Sequence, residues 1–185
     1  MPEERERRVS EPREHKPVKL VVGVFTNRLE LFQEALRVLE KRFGPVDYES
    51  PLLPFDKTDY YEEEFGKDLK RKFYSFKKLI EAEDLPKIKI FTNSLEKKFS
   101  KEENRLINLD PGYLAPAKLV LTTTKDYQHR IYYGKGIYGE VTLRYKRGSF
   151  IPWEWTYPEY RTKEYIKIFN HIRKIYMEQL RNREQ

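Results

Sequence analysis

Apolar positions along the chain fall into a few periodic blocks. KLVVGVFT (19–26) is a short β-branched run without polar alternation, the pattern of a strand buried on both faces and central in a sheet. Directly after it Leu29, Phe32, Leu36, Leu39 and Phe43 recur at helical spacing. Asn27 stands where an N-cap belongs, Glu30 occupies the capping-box position, and Gly44-Pro45 stops the helix. VDYESPLLPF (46–55) reads as extended, with prolines that put its second half at an edge or in a loop.

Phe65, Leu69, Phe73, Phe76 and Ile80 repeat at near-helical spacing and predict a second helix from about Asp59 to Glu83, closed by Pro86. Its acidic start, Glu62-Glu63-Glu64, suits the positive end of a helix dipole and competes with a reading as a metal cluster. KIKIFT (87–92) and RLINL (105–109) predict strands, and Asp110-Pro111-Gly112-Tyr113 has the residue types of a tight turn. AKLVLTTT (117–124) suits a strand, although Pro116 is placed to start a helix.

YQHRIYY (127–133) and IYGEVTLRY (137–145) predict two strands joined by a glycine segment. Residues 161–181 predict a closing helix with Tyr165, Phe169, Ile172, Tyr176 and Leu180 turned inward. Strands gathered late in the chain and three helices define an α+β fold, an open mixed or antiparallel sheet with about three helices packed mainly on one face. A length of 185 residues fits a single domain over 18–181, between a charged tail (1–17) and a short one (182–185).

Composition narrows the chemistry. Charged residues at 36% together with aromatics at 15% belong to a folded chain rather than a disordered one. With no cysteine, disulfides, thiolate metal sites and cysteine nucleophiles are excluded. No stretch has the length of a signal-peptide core or approaches the roughly 20 apolar residues of a membrane span, so a cytoplasmic protein without membrane contact is expected. Abundant Glu, Lys and Arg beside few Gln, Asn and Met resembles thermophile usage. The net charge of +7 is uneven: residues 118–185 hold 14 Lys and Arg against 7 Asp and Glu, and residues 1–117 hold 23 of each. Such an excess marks either a phosphate or nucleic-acid surface or a solvated charged face.

The segment GKGIYGEV (134–141) carries Gly134, Gly136 and Gly139 at the spacing of phosphate-covering loops. A dinucleotide fold needs a helix after those glycines, and here a strand follows. A protein kinase would need further catalytic motifs downstream, and none is present. No Walker-type or guanine-reading motif occurs, and Ile137-Tyr138 departs from an RNA-recognition strand. A flexible hairpin turn remains, with phosphate contact through its N–H groups as the functional alternative.

Around that turn, Asp110, Tyr113, Lys125, Asp126, His129, Arg130 and Glu140 crowd into one stretch. His129 is a candidate general base oriented by Asp126 or Glu140, Asp110 is a further carboxylate for catalysis, and Lys125 and Arg130 suit an anionic group such as phosphate. Tyr113 and the three glycines complete the candidate ligand contacts. On a continuous strand, Lys125 and His129 would face away from Asp126 and Arg130 unless a bulge intervened. The alternative is a histidine held in a structural ion-pair network. A multi-histidine metal site is not supported; Asp110 or Glu140 would allow a carboxylate-type magnesium site.

TDYYEEEFG (58–66), FTNSLE (91–96), NLDPGY (108–113), TTKDYQHRIY (123–132), GIYGEVTL (136–143) and WTYPEYR (155–161) together resemble a prokaryotic family known as a domain of unknown function, DUF4416, over about residues 18–176. Some members of that family carry the label "GTP-binding protein", which no G-domain motif in this sequence supports. The resemblance implies no catalytic residue and no cofactor.

Three function classes follow. The first is a protein that binds, or acts on, a phosphorylated small molecule or nucleotide through residues 108–142. The second is a nucleic-acid-binding module using Trp153, Trp155 and Tyr157 beside the basic C-terminal third, where the same rings would otherwise pack the last helix. The third is a ligand-free scaffold with tyrosines at an oligomer surface.

Overall fold

The computed structural model describes residues 11–183. Its strands are β1 (Lys19–Thr26), β2 (Val46–Glu49), β3 (Leu53–Pro54), β4 (Lys70–Phe76), β5 (Asn108–Ala115), β6 (Lys118–Thr123), β7 (Ile131–Gly134), β8 (Ile137–Lys146) and β9 (Ser149–Pro152). The helices are α1 (Leu29–Phe43), the single turn α2 (Glu62–Phe65), α3 (Leu85–Lys98) and α4 (Lys163–Arg183). All strands join one open antiparallel sheet of order β2-β4-β1-β5-β6-β8-β7, with β3 added to β4 and β9 to β8. The fold is therefore α+β, with three long helices.

β1 is central and buried at every position, as its unbroken apolar run requires. Its Leu20, Val22 and Val24 meet α1 and α3 on one face, and Val21 meets α4 on the other. Two of the long helices thus share a face and the third covers the opposite one. In α4 the five residues expected to turn inward are all buried. That helix continues to Arg183, two residues into the expected C-terminal tail. Residues 11–16 of the expected N-terminal tail are exposed and outside any strand or helix, while residues 1–10 and 184–185 lie outside the described residues.

Three local expectations are corrected. The long helix over 59–83 is replaced by α2 and strand β4, because Gly66 ends the helix at φ 81° and the aromatic run Phe73-Tyr74-x-Phe76 pairs with β1 and β2. The strand over 87–92 is instead part of α3, and Pro86 opens that helix, where its missing N–H costs nothing. Asp110-Pro111-Gly112-Tyr113 runs straight through β5. There Pro111 sits before β6 pairing begins at Gly112, and its carbonyl accepts a hydrogen bond from Thr122 Oγ1 at 2.7 Å. A Cβ on Gly112 would lie 2.4 Å from the Val120 carbonyl oxygen, so glycine lets the two strands approach.

Candidate functional site

Past the N-terminal end of α4, on the same face of the sheet, lies a cavity of about 500 Å³. A pocket of that size suits a small organic ligand. Its floor spans the sheet: Arg71 from β4, Asp110 from β5, Leu121 and Thr123 from β6 and Glu140 from β8. One wall is the segment after β3, with Phe55, Lys57, Thr58, Tyr60 and Tyr61; the other is Tyr157 and the 3-10 turn Pro158–Arg161, with Glu159 and Tyr160. Lys125 and Arg130 reach in from the loop between β6 and β7.

Two sequence details shape this floor. Opposite Leu119 and Val120 the β8 register slips, so that Thr142 is bulged and Glu140 comes to the same face as Leu143. In β1, Gly23 has no side chain to hold off the Phe73 ring, which a Cβ there would meet at 3.0 Å, or the Tyr160 hydroxyl, at 3.7 Å.

Arg71 lies at the base, only 3% exposed. Its guanidinium sits 4.3 Å from the Phe55 ring centroid and 5.1 Å from that of Phe25. Burial works against its charge, but nearby Tyr160, Tyr165, Asp110 and Glu159 outweigh that and hold it above its usual value. Its ion pair with Asp110 is long, 3.5 Å, and its Nε has no hydrogen-bond partner among the described residues. Glu159, 5% exposed, likewise has a buried Oε1 without a partner. Burial, with Asp110 adding to it, pushes the Tyr61 hydroxyl up to about 12, and burial raises Tyr160 further, so both stay neutral donors at physiological pH.

A charge network fixes Asp110 from behind. Asn108 Nδ2 donates to Asp110 Oδ2 at 2.8 Å, and Lys89 Nζ lies 3.5 Å from Oδ1. Arg105 bonds Glu64 through Nε and Nη2 at 2.7 and 2.8 Å and Asn108 through Nη1 at 2.9 Å. Glu96 accepts the Leu109 N–H at 2.6 Å, and burial raises its pKa.

The loop after β6 forms an arch over the mouth. Lys125 Nζ donates to Tyr60 Oη at 3.1 Å, Arg130 Nη1 to the Lys125 carbonyl at 3.1 Å, and Arg130 Nη2 to Tyr157 Oη at 3.1 Å. Arg130 Nε also bonds Glu140 Oε2 at 3.0 Å, which anchors the arch to the floor. Residues 124–130 are not strand, so the alternation expected for Lys125, Asp126, His129 and Arg130 does not apply.

Of the residues singled out from sequence, Asp110, Lys125, Arg130 and Glu140 line one cavity. His129 stands behind Glu140: its Nε2 is 2.8 Å from Oε2, its ring stacks on Trp155 at 5.3 Å, and its Nδ1 is buried without a partner among the described residues. It is not among the lining residues, and Asp126 is exposed. Tyr113 lies on the other face of the sheet, its hydroxyl 3.4 Å from that of Tyr133. Gly139 is covered by the Tyr133 ring, and Gly134 and Gly136 form the β7–β8 hairpin turn at φ 95° and 76°, outside the cavity. Among the described residues no three His, Asp or Glu side chains gather as a metal-holding group.

Trp153 and Trp155 stack on each other at 5.0 Å, with Arg144 over Trp153 at 3.9 Å and Trp155 Nε1 bonded to the Val141 carbonyl. Sequence reasoning missed Arg71, Lys57, Glu159 and Tyr160. The signal available for Arg71 was Gly66, which separates it from the acidic helical turn.

The fold and cavity define an α+β protein with a small-molecule-sized site at one end of an antiparallel sheet. The chain matches the family described as a domain of unknown function, DUF4416, over residues 16–176, and it belongs to that family. No curated protein and no solved structure matches it, so no named relative supports a GTP-binding role. All but one of the segments that carry the family resemblance contribute to the cavity lining; the remaining one, FTNSLE, supplies Glu96 of the network behind it. Among the described residues no helix is long and apolar enough to cross a membrane.

Proposed function

We propose that this protein binds a small phosphorylated molecule in the cavity beneath the 124–130 arch. The observation that carries the reading is a cavity of small-molecule size whose rim holds two exposed ammonium groups, Lys57 and Lys125, and whose lining holds the buried guanidinium of Arg71 with its one long ion pair. A buried charge is costly unless it is well paired, and a ligand oxygen against the cavity side of the guanidinium would add an acceptor. Lys57 and Lys125 at the rim favour an anion: both are exposed, and Lys57 has only a 3.8 Å pairing with Asp56. Tyr60, Tyr61, Tyr157 and Tyr160 add hydroxyl donors and ring faces.

Thermal melting of the purified protein with sugar phosphates, nucleoside monophosphates and inorganic phosphate tests this. A ligand present at 100 times its dissociation constant adds about 2.7 kcal/mol of stability. A shift with at least one phosphorylated compound is expected, and it should shrink in the Lys57→Ala/Lys125→Ala variant. Absence of any shift, with and without Mg²⁺, would overturn the reading.

A further inference from the structure

The cavity is polarised from mouth to floor. At the mouth stand the exposed Lys57 and Lys125; the carboxylates of the lining are less exposed, Asp110 partly buried and Glu140 and Glu159 buried. Two of these are already matched in charge, Glu140 by Arg130 at 3.0 Å and Asp110 by Arg71 and Lys89 at 3.5 Å each. Glu159 differs: it is nine-tenths buried, and among the described residues its Oε1 has no donor, beside an Arg71 whose Nε has no acceptor. A floor that is close to charge-balanced, with an under-paired carboxylate and an under-paired guanidinium in its lining, does not call for a second anion or for an ammonium. It calls for neutral groups that both donate and accept, and hydroxyls have that chemistry.

Resting on the reading above, we infer that the ligand is a sugar phosphate, free or as the ribose phosphate of a nucleotide. Its phosphate lies at the rim against Lys57 and Lys125, and its hydroxyls lie on the floor, donating to Glu159 and accepting from Arg71. The tyrosine walls flank the ring. An anion placed the other way round would meet the carboxylates with its own charge, which disfavours it strongly in a partly dry site.

Calorimetric titration of ribose 5-phosphate, a nucleoside monophosphate and inorganic phosphate into three proteins tests the orientation: the natural chain, Glu159→Leu and Glu159→Gln. Glu159 is one of four groups that support the Arg71 charge, so Glu159→Leu is checked for folding by circular dichroism, and the near-isosteric Glu159→Gln carries the test should leucine lower stability. Glu159→Leu should weaken ribose 5-phosphate about tenfold, the loss of a hydrogen bond to a charged group, and Glu159→Gln should weaken it less. Inorganic phosphate should bind either variant as well as, or better than, the natural chain. A nucleoside monophosphate that binds about tenfold tighter than ribose 5-phosphate, and loses as much in Glu159→Leu, would identify a nucleotide as the source; equal or weaker binding would identify a free sugar phosphate. If ribose 5-phosphate and inorganic phosphate respond identically to the substitutions, the inferred orientation is wrong while the phosphate reading stands. If no phosphorylated compound binds, both fall.

Discussion

Arg130 and Glu140 form the ion pair that joins the arch over the cavity to its floor: Nε lies 3.0 Å from Oε2, with both side chains nearly buried at 9% and 5% exposure. Burial opposes the arginine's charge, but Glu140 and Tyr157 together outweigh it and hold Arg130 above its usual value. The same Oε2 also faces His129 Nε2, so one carboxylate positions two side chains of the loop.

Glu140→Ala should therefore do more than remove one contact. It leaves a nearly buried guanidinium and a part-buried imidazole without their acceptor, and a loss of about 3 kcal/mol is expected, the lower end for a broken buried pair because Arg130 keeps its bonds to Lys125 and Tyr157. Urea unfolding measures the loss. Hydrogen exchange should locate the accompanying loosening in residues 124–130; a loss below 1 kcal/mol with unchanged exchange would contradict the role assigned to Glu140.

The glycine that matters most to the fold lies outside the glycine motif. Gly112→Ala places a Cβ 2.4 Å from the Val120 backbone oxygen, and backbone cannot step aside as a side chain can. We expect a loss of about 3 kcal/mol or more. Gly136→Ala meets open space and carries only the strain of φ 76°, about 1 kcal/mol. Paired denaturation curves should rank them in that order.

Arg105 holds Glu64 and Glu96 together behind Asp110. Its hydrogen bonds hold the Glu64 carboxyl below its ordinary value of 4.5. That depressed carboxyl contributes stability present above pH 4.5 and lost as the pH falls through its folded value. Arg105→Met should cost about 2 kcal/mol at pH 7, and the difference from the natural chain should shrink as acid protonates Glu64 and then removes the need for a cation. A difference that stays constant from pH 7 to pH 3 would contradict this.

At the alkaline end the buried tyrosines decide. Tyr61 is pushed up to about 12, and burial raises Tyr74, Tyr113 and Tyr160 beyond it. The unfolded chain ionises its tyrosines near 10 and the folded chain resists, so the stability present below pH 10 declines as the pH rises toward 12. Tyrosinate absorbance from these rings should appear together with the loss of circular dichroism, rather than before it.

Much of the scaffold could be read from local pattern. The buried run of β1, the helical stripes of α1 and α4 and the glycine hairpin depend on neighbours in sequence, and periodicity reports such neighbours. β4 escaped because Phe65, Leu69, Phe73, Phe76 and Ile80 keep helical spacing while belonging to a turn, a strand and the loop beyond; sheet pairing overrode that spacing. Pro86 was legible as a boundary but not as to which side the helix lies. For the site, the stretch 110–140 was legible as unusually polar, and Asp110, Lys125, Arg130 and Glu140 do meet in one cavity. Arg71 and Glu159 were not, because sheet order and the approach of the 3-10 turn bring them there.

The most direct test of the proposed ligand site follows the Arg71 guanidinium on its floor by nuclear magnetic resonance, while ribose 5-phosphate, a nucleoside monophosphate or inorganic phosphate is titrated into the labelled protein. The account predicts a saturable shift of the Arg71 side-chain resonances with a sugar-bearing phosphate, at the same ligand concentration that moves signals from Lys57 and Lys125. Movement of surface lysine signals alone, with Arg71 unchanged at saturation, would contradict it.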